Sequence, residues 1–274
     1  MKQISQSQIR DYQECRYRYY LTYIQKLTWP APVTPTYAAM EKAMLDGQTF
    51  HQFVNRFVEG IDAQDENNEN ESEKIRRWIT NFRQFNPLPG TAQIFSEIEL
   101  AVPSNDILWI GKYDIIAVQE KQLTIFDWKT AAKVSNPRSY SESPQTLLYR
   151  YILYRSSPRF FEDGKTIDPK NLQMIYWFPA QPDKPIRINY SEEQFQADQV
   201  YFDKIGKELS ENDAAHYPQT EEINRCRHCH YMTYCGRIHE DEEAENQEQD
   251  EWEQSDLFDV PPEDLDDDLP EKTF

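Results

Sequence analysis

The 274-residue sequence lacks the features that mark membrane and secreted proteins. No apolar run approaches the roughly 18 residues that a membrane-spanning helix needs. The N-terminal residues Met1–Gln6 are polar and do not form the apolar core of a secretory signal peptide. Only four cysteines are present, and no internal repeat is visible. We therefore expect a cytoplasmic protein with reduced cysteines and no membrane partner.

Basic residues are scarce, and most of the resulting imbalance lies at the C-terminal end. The chain has 48 acidic and 29 basic residues, a net charge of −19. Residues 240–274 hold 17 of the acidic residues and one lysine, which leaves residues 1–239 at about −3. We predict one folded domain over residues 1–239 and a disordered acidic tail over 240–274. The overall charge therefore does not exclude a nucleic-acid partner for the folded domain.

Three of the four cysteines are closely spaced as Cys226-x₂-Cys229-x₅-Cys235, and Cys15 lies near the N-terminus. Close thiolates suit zinc or an iron–sulfur cluster, because soft sulfur ligands select those metals. A single centre bound by all four would join the two ends of the chain. The spacing alone does not distinguish zinc from iron–sulfur, and four unrelated buried cysteines are the simplest alternative. A Cys₃His zinc site is also open, with three histidines flanking the motif: His228, His230 and His239.

Hydrophobic periodicity predicts one mixed α/β domain. Ser5 and Gln8 form a capping box, and Pro144 occupies a favoured first helical position. Asp62–Glu73 is a polar loop, and Cys15 lies within the first helix. Helices are predicted over residues 5–26, 37–60, 72–85, 144–154 and 191–209, and strands over residues 93–102, 107–118, 123–128 and 172–178.

The third predicted strand ends in polar residues that could carry chemistry. Asp127 and Lys129 share one face, because side chains alternate along a strand, and Phe126 and Trp128 point to the other face. Charge at the end of an apolar strand is costly unless the two groups pair or act. The alternative is an exposed surface ion pair.

Asp114 lies in the neighbouring predicted strand. Gly111 inside that strand predicts a bulge or a close backbone approach. Antiparallel pairing through the turn at residues 120–121 places Asp114 near Asp127. Two carboxylates suit Mg²⁺ or Mn²⁺, and the backbone carbonyl of Trp128 adds an oxygen. A neighbouring lysine, Lys129, can position water or stabilise charge on a phosphate.

Four further side chains could complete this site. His51 is a core histidine with a satisfied hydrogen bond or a softer ligand that favours Mn²⁺. Gln145 and Tyr149 lie four residues apart on one helix face, where they could contact phosphate, orient the lysine or form a surface pair. Glu97 in the first strand either supports a metal site or faces solvent.

Together, these residues resemble a known family. Gly47…His51, Gly111-x₂-Asp114, Asp127-Trp128-Lys129-Thr130 and Gln145-x₃-Tyr149 are similar to the motifs of the PD-(D/E)XK nuclease superfamily, in its RecB-like exonuclease branch. The resemblance spans residues 4–236. It implies a restriction-endonuclease-like fold, in which helices flank a mixed β-sheet core.

The cysteines resemble those of the iron–sulfur members of this branch, the AddB-type and CRISPR-associated nucleases. This resemblance implies a [4Fe–4S] cluster held by Cys15, Cys226, Cys229 and Cys235, in a lobe that joins the N- and C-termini. Arg16 departs from the pattern, because proline often follows the first cysteine in the family.

Carried over by motif, the resemblance implies a role for each candidate residue. The Mg²⁺ or Mn²⁺ ligands would be His51, Asp114, Asp127 and the carbonyl of Trp128, and Lys129 would be the catalytic lysine. The accessory and DNA contacts would be Gln145, Tyr149 and Glu97.

The implied activity is that of a metal-dependent DNA exonuclease acting on single strands or ends, in repair, recombination or CRISPR adaptation. The sequence contains no helicase motif, so a helicase partner would be a separate polypeptide. A single-strand-binding protein is a further candidate partner. Two alternatives are a non-catalytic DNA-binding scaffold subunit of a helicase–nuclease complex and a zinc-ribbon interaction module.

Overall fold

The structure is a computed structural model that describes residues 1–29, 35–61, 72–131, 136–210, 213–226 and 229–237. The side chains of residues 35–40 are not among those described. The predicted acidic tail lies outside these ranges, as do His228, His239 and most of the predicted polar loop.

Helices form at all five predicted places. Ser72 caps the helix predicted over residues 72–85 by accepting a hydrogen bond from the backbone N–H of Ile75, 3.3 Å away. Gln8 Oε1 accepts from the backbone N–H of Ser5 at 2.7 Å, as the predicted capping box requires. The helices are α1 (Gln6–Glu14), α2 (Arg16–Tyr19), α3 (Pro35–Val58), α4 (Glu73–Phe85), α5 (Pro137–Ser141), α6 (Pro144–Ser156) and α7 (Glu192–Ser210).

The prediction of one continuous helix over residues 5–26 is wrong. Cys15 has an extended backbone, with φ −156° and ψ 109°, and separates α1 from α2. Its Sγ accepts a hydrogen bond from the backbone N–H of Arg18 at 3.4 Å, so the thiol acts as the N-cap of α2. The chain then continues into a π-helical turn at Tyr20–Ile24.

The strands form one mixed six-stranded sheet with the order β1-β3-β4-β5-β6, and β2 pairs with the other edge of β3. Both predicted hairpin turns are present, with the positive φ angles of Asn105 and Glu120 at their first positions. The two short strands β1 and β6 were not predicted, because three or four residues show little alternation. The strands are β1 (Lys2–Ile4), β2 (Gln93–Ser104), β3 (Ile107–Gln119), β4 (Gln122–Trp128), β5 (Leu172–Trp177) and β6 (Ile186–Asn189).

Strand β3 changes partner partway along one edge. β1 pairs with residues 107–109 in parallel, and β4 pairs with residues 115–119 in antiparallel fashion. β2 pairs with the opposite edge along nearly the full length of β3. Between β1 and β4, the edge at residues 110–114 has no paired neighbour among the described strands. The sheet therefore opens at this point.

Helices cover both faces of the sheet. One face packs against α1, α6 and α7, in a core that includes Ile9, Ile152 and Phe202. The other packs against α3 and α4 through an aromatic cluster that includes Phe50 and Phe82. This mixed sheet flanked by helices is consistent with the predicted restriction-endonuclease-like fold. Among the described residues, no helix is both long and apolar enough to cross a membrane.

Candidate active site

The end of β4 places Asp127 and Lys129 on one side of the sheet, as the strand alternation predicts. Lys129 Nζ lies 3.1 Å from Asp127 Oδ2. Lys129 is 3% exposed and Asp127 is 4% exposed, so the alternative of an exposed surface ion pair is wrong. Phe126 and Trp128 point the other way and pack in the aromatic cluster. Two opposite charges are therefore buried beside the core. Their loss of hydration costs free energy, which the ion pair and further hydrogen bonds must offset.

Gln145 links the two charged side chains. Its Nε2 donates to Asp127 Oδ1 at 2.7 Å, and its Oε1 accepts from Lys129 Nζ at 2.9 Å. Lys129 Nζ also lies 5.2 Å from the centre of the Tyr176 ring. Gln145 occupies the first turn of α6, which Ser143 caps by accepting from the backbone N–H of Thr146 at 3.2 Å. The helix cap therefore sets the position of the amide that orients the lysine.

Tyr149, one turn after Gln145, lies in the core. Its ring centre is 4.7 Å from that of Tyr113, whose hydroxyl donates to the backbone carbonyl of Tyr149 at 2.8 Å. Only 2% of Tyr149 is exposed, which argues against the predicted direct contact with DNA. In this position, Tyr149 fixes α6 to β3.

Gly111 allows this close packing. A Cβ atom at this position would lie 3.1 Å from the Tyr113 ring and 3.3 Å from the side chain of Ile152 on α6. The strand pairing runs regularly through Gly111, opposite Leu100, so the predicted bulge is wrong at this residue. The second predicted reason for the glycine, a close approach, is confirmed.

Asp114 lies where β3 and β4 separate. Their last pair on this side is Ile115↔Phe126, so Asp114 and Asp127 would be the next pair. The ladder ends there, and Asp114 Oδ2 instead accepts from the backbone N–H of Trp128 at 2.9 Å. The carboxylate takes the place of a strand carbonyl.

The alternation of β2 and β3 reverses at this level of the sheet. Tyr113 packs on the α6 side, whereas Ile115 packs on the α3 side, although residues two apart normally share a face. Asp114 lies between them, and Glu97 of β2 stands opposite, with a left-handed φ of 49°. Pairing resumes on both sides at Ile98↔Tyr113 and Ser96↔Ile115 without a shift in register. Both strands are therefore irregular at one shared level.

His51 reaches the opening from α3. Its Nδ1 lies 3.2 Å from Asp114 Oδ1, and its Nε2 lies 3.1 Å from the carbonyl oxygen of Trp128. One helical turn earlier, a Cβ on Gly47 would lie 3.0 Å from Oγ1 of Thr130. The glycine therefore lets α3 approach the end of β4 closely enough for His51 to contact both groups.

The site is strongly charged. Burial lowers the pKa of His51, but the carboxylate of Asp114 more than compensates and raises it to about 9, with smaller contributions from Asp127 and Glu97. Burial raises the pKa of Asp114, and His51 outweighs this effect and lowers it overall. His51 and Asp114 thus form an imidazolium–carboxylate pair.

A second cluster contains the four cysteines. All are free thiols, and they line one cavity with an open volume of about 20 Å³. This is roughly the space of one water molecule, so a larger group requires the thiols to move apart. The cavity is also lined by three arginines, which would compensate the charge of thiolates: Arg18, Arg225 and Arg237.

Contacts and mutual electrostatics show that the sulfur atoms are close together. Arg237 Nη1 donates to Cys226 Sγ at 3.3 Å. Burial, together with the charges of the three other thiols, raises the pKa of Cys235 to about 11. His230 instead packs on Tyr231, with ring centres 4.0 Å apart, and does not line the cavity. The predicted Cys₃His alternative therefore receives no support from His230.

The side chains of the two clusters are not arranged as they would be around a bound metal ion. Among the described residues, no set of three or more His, Cys, Asp or Glu side chains is arranged to hold a metal ion. At the strand opening, the candidate ligands contact one another, Gln145 and Lys129. The donor types nevertheless suit hard cations at that opening and soft metals at the cysteines.

Comparison with known proteins identifies the family. The model of the PD-(D/E)XK nuclease superfamily matches residues 3–236. The chain belongs to this superfamily. In structure, it is similar to a candidate exonuclease from Eubacterium rectale, with a TM-score of 0.47 and 11% identity over 80% of this chain and 84% of that one. A second similar structure is the protein SSO0001, with a TM-score of 0.37 and 12% identity over 87% and 88% of the two chains. No curated protein matches the chain.

Sequence reasoning missed several residues that contact these clusters. Tyr176 contacts Lys129 because β5 pairs with β4, at Asp127↔Tyr176, and no local pattern reveals that partner. Arg18 and Arg237 lie three and two residues after cysteines of the cavity. An arginine shortly after a cysteine, found twice, is the sequence pattern that could have indicated this contact.

Proposed function

We propose that this member of the superfamily is a metal-dependent DNA exonuclease that hydrolyses phosphodiester bonds on single strands or at ends. We place it in the RecB-like branch, with a role in repair, recombination or CRISPR adaptation. The observation that carries the proposal is the convergence of two carboxylates and a buried lysine where the sheet opens. Nucleases of this superfamily typically use Mg²⁺ or Mn²⁺.

The residues at the opening fit such a cation. The His51 ring lies between a carboxylate oxygen of Asp114 and the carbonyl oxygen of Trp128, at 3.2 and 3.1 Å. Asp114 Oδ2 also accepts from the backbone N–H of Trp128, the residue that follows Asp127, so both carboxylates adjoin the same stretch of β4. We assign His51, Asp114, Asp127 and the Trp128 carbonyl as ligands, and His51 must release its second ring proton before it can bind the cation. A bound Mg²⁺ or Mn²⁺ would polarise the phosphate and make a water molecule more acidic.

Lys129 is suited to act on the phosphate group. Its ammonium is held by Asp127 and Gln145, so little reorganisation is needed when negative charge develops on a phosphate oxygen. It can also donate a hydrogen bond that orients the attacking water. Gln145 positions the lysine, and Tyr149 supports the helix that carries Gln145.

The central test compares wild type with Asp127→Ala and Lys129→Ala on end-labelled DNA in Mn²⁺. We expect each substitution to lower the cleavage rate by roughly 10²–10³-fold, as the loss of one stabilising group does in other active sites. Asp168→Ala and Lys170→Ala are matched controls, because these residues form an exposed Asp–Lys pair at 2.8 Å with the same spacing. Equal cleavage by all five proteins would overturn the site assignment, and DNA binding without cleavage in any metal would favour a non-catalytic subunit.

We further propose that Cys15, Cys226, Cys229 and Cys235 hold a [4Fe–4S] cluster with a structural role. The shared cavity and its arginines support a centre that joins the chain ends. Anaerobic purification followed by a visible spectrum and metal analysis tests this assignment. We expect a brown protein with about four irons and four sulfides per chain, and loss of both in Cys229→Ser. A colourless protein that contains zinc and no sulfide would contradict it.

The proposed partners follow from the activity. DNA is the proposed substrate, and a helicase or a single-strand-binding protein is the proposed protein partner. Co-purification with tagged protein in the presence and absence of nuclease separates direct partners from those bridged by DNA.

A further inference from the structure

Glu97 has an unusual backbone for its position. Its φ of 49° is left-handed, a region in which a side chain costs free energy that glycine avoids. The other non-glycine residues with positive φ in the described ranges lie outside strands, at Lys26, Asn105 and Glu120. Glu97 alone among these four lies in the middle of a strand, where extended backbone is the rule.

The position of Glu97 connects this strain with the site. Its flanking pairs, Ile98↔Tyr113 and Ser96↔Ile115, place it directly opposite Asp114. Because the pairs on either side are in the same register, the two residues lie at one level of neighbouring strands. Both strands reverse their alternation at this level, so Glu97 and Asp114 depart together from the regular sheet.

Accessibility and chemistry indicate what the carboxylate can do. Glu97 is exposed, whereas the Asp114 side chain is only 18% exposed. Helix α3, which carries His51, packs against β2, the strand of Glu97. Strained backbone persists at functional sites when the surrounding structure holds it in place.

We propose that Glu97 is a further carboxylate ligand of the divalent cation at the strand opening and that its left-handed backbone holds it beside Asp114. This inference rests on the proposed function. A third carboxylate makes the donor set richer in hard oxygen, the donor type that Mg²⁺ and Mn²⁺ prefer.

The test measures Mn²⁺ binding to the full chain by calorimetry, together with the urea midpoint of unfolding. We expect Glu97→Gln to weaken Mn²⁺ binding about tenfold and to leave the midpoint unchanged, because the strain remains and the charge is lost. Glu97→Gly is expected to weaken binding to a similar extent and to raise the midpoint. Glu99→Gln is the matched control, an exposed glutamate two residues along β2, and we expect its affinity to stay within about twofold of wild type.

The outcomes separate this inference from the proposed function. If Asp114→Asn loses Mn²⁺ binding while Glu97→Gln binds like Glu99→Gln, the role of Glu97 is refuted and the cation site stands. If wild type and Asp114→Asn bind Mn²⁺ equally, the cation site itself is wrong, and with it the role of Glu97. A raised midpoint with wild-type affinity in Glu97→Gly would show that the strain is unrelated to the cation.

Discussion

At the scale of single residues, the site depends on a few close contacts that small changes can disturb. Asp127, Lys129 and Gln145 form a closed set of hydrogen bonds with little exposure to solvent. Removing one member leaves a buried charge or amide without a partner, which costs more than the original bond contributed. Gly47 has little room beside Thr130, because an added Cβ would lie 3.0 Å from Oγ1, and this close approach of α3 determines where His51 lies.

Gly47→Ala should separate activity from stability. Alanine favours the helix by about 1 kcal/mol, but its Cβ would lie 3.0 Å from Oγ1 of Thr130. We expect α3 to shift by a few tenths of an ångström and nuclease activity to fall about tenfold, because catalysis is sensitive to small displacements. The free energy of unfolding should change by less than about 1 kcal/mol. Single-turnover cleavage and urea denaturation measure the two effects.

Two variants control for this prediction. Gly90→Ala places a methyl group where no atom lies within 4 Å, so it should leave the activity unchanged. Gly47→Ala combined with Thr130→Ala removes the clashing oxygen and should recover activity relative to Gly47→Ala alone. Failure of the double variant to recover would show that Thr130 is not the source of the displacement.

At the scale of elements, α3 and α4 form an aromatic layer beneath the end of β4. Phe82 of α4 is fully buried and lies edge-to-face against Phe50, Trp128 and Trp177, with ring centres 6.2, 5.6 and 5.7 Å away, respectively. Trp128 directly follows Asp127, and its N–H and carbonyl both contact site residues. The packing of α4 therefore supports the position of the strand that carries Asp127.

Phe82→Ala should destabilise the protein by about 3–5 kcal/mol, because it opens a cavity in this layer. Phe85→Ala on the same helix is the matched control, since Phe85 is 44% exposed, and its cost should stay below about 1 kcal/mol. Urea denaturation measures both. Similar costs for the two substitutions would mean that the layer does not contribute to stability as its packing indicates.

At the scale of the whole molecule, the first and last parts of the chain that the structure describes meet in one lobe. Tyr231 donates from its hydroxyl to the carbonyl of Leu27 at 2.7 Å, and Trp29 Nε1 donates to Oγ1 of Thr233 at 2.9 Å. Arg225 also donates to the carbonyl of Gln13 at 3.0 Å. These contacts span roughly the length of the matched domain, so the cysteine cavity lies where the ends are already joined.

Removal of residues 240–274 should strengthen DNA binding. The deletion removes 17 acidic residues and one lysine and leaves a chain of net charge about −3. Less repulsion of phosphate should raise the affinity for single-stranded DNA several-fold at low salt, and the difference should vanish at roughly 0.5 M salt, where charges are screened. Fluorescence anisotropy across a salt series measures this. A difference that persists at high salt would indicate a role of the tail beyond its charge.

Most elements could be predicted because their patterns are local. The central strands alternate over seven to thirteen residues, and α4 and α7 carry clear caps or acidic first turns. The break at Cys15 could not be predicted, because it depends on a thiol that caps the next helix. The reversal at Glu97 and Asp114 could not be predicted either, since a glutamate gives no local sign of positive φ.

The sequence by itself indicated which residues are candidates for the chemistry. The alternation of β4 placed Asp127 with Lys129, helical spacing placed Gln145 with Tyr149, and the cysteine spacing marked a second cluster. Only the tertiary structure decided that Gln145 bridges the buried pair, that Tyr149 lies in the core, and that Glu97 stands opposite Asp114. The reason is physical: periodicity acts within one element, whereas the partners of a strand edge are residues distant in sequence, and their pairing depends on the packing of the whole sheet.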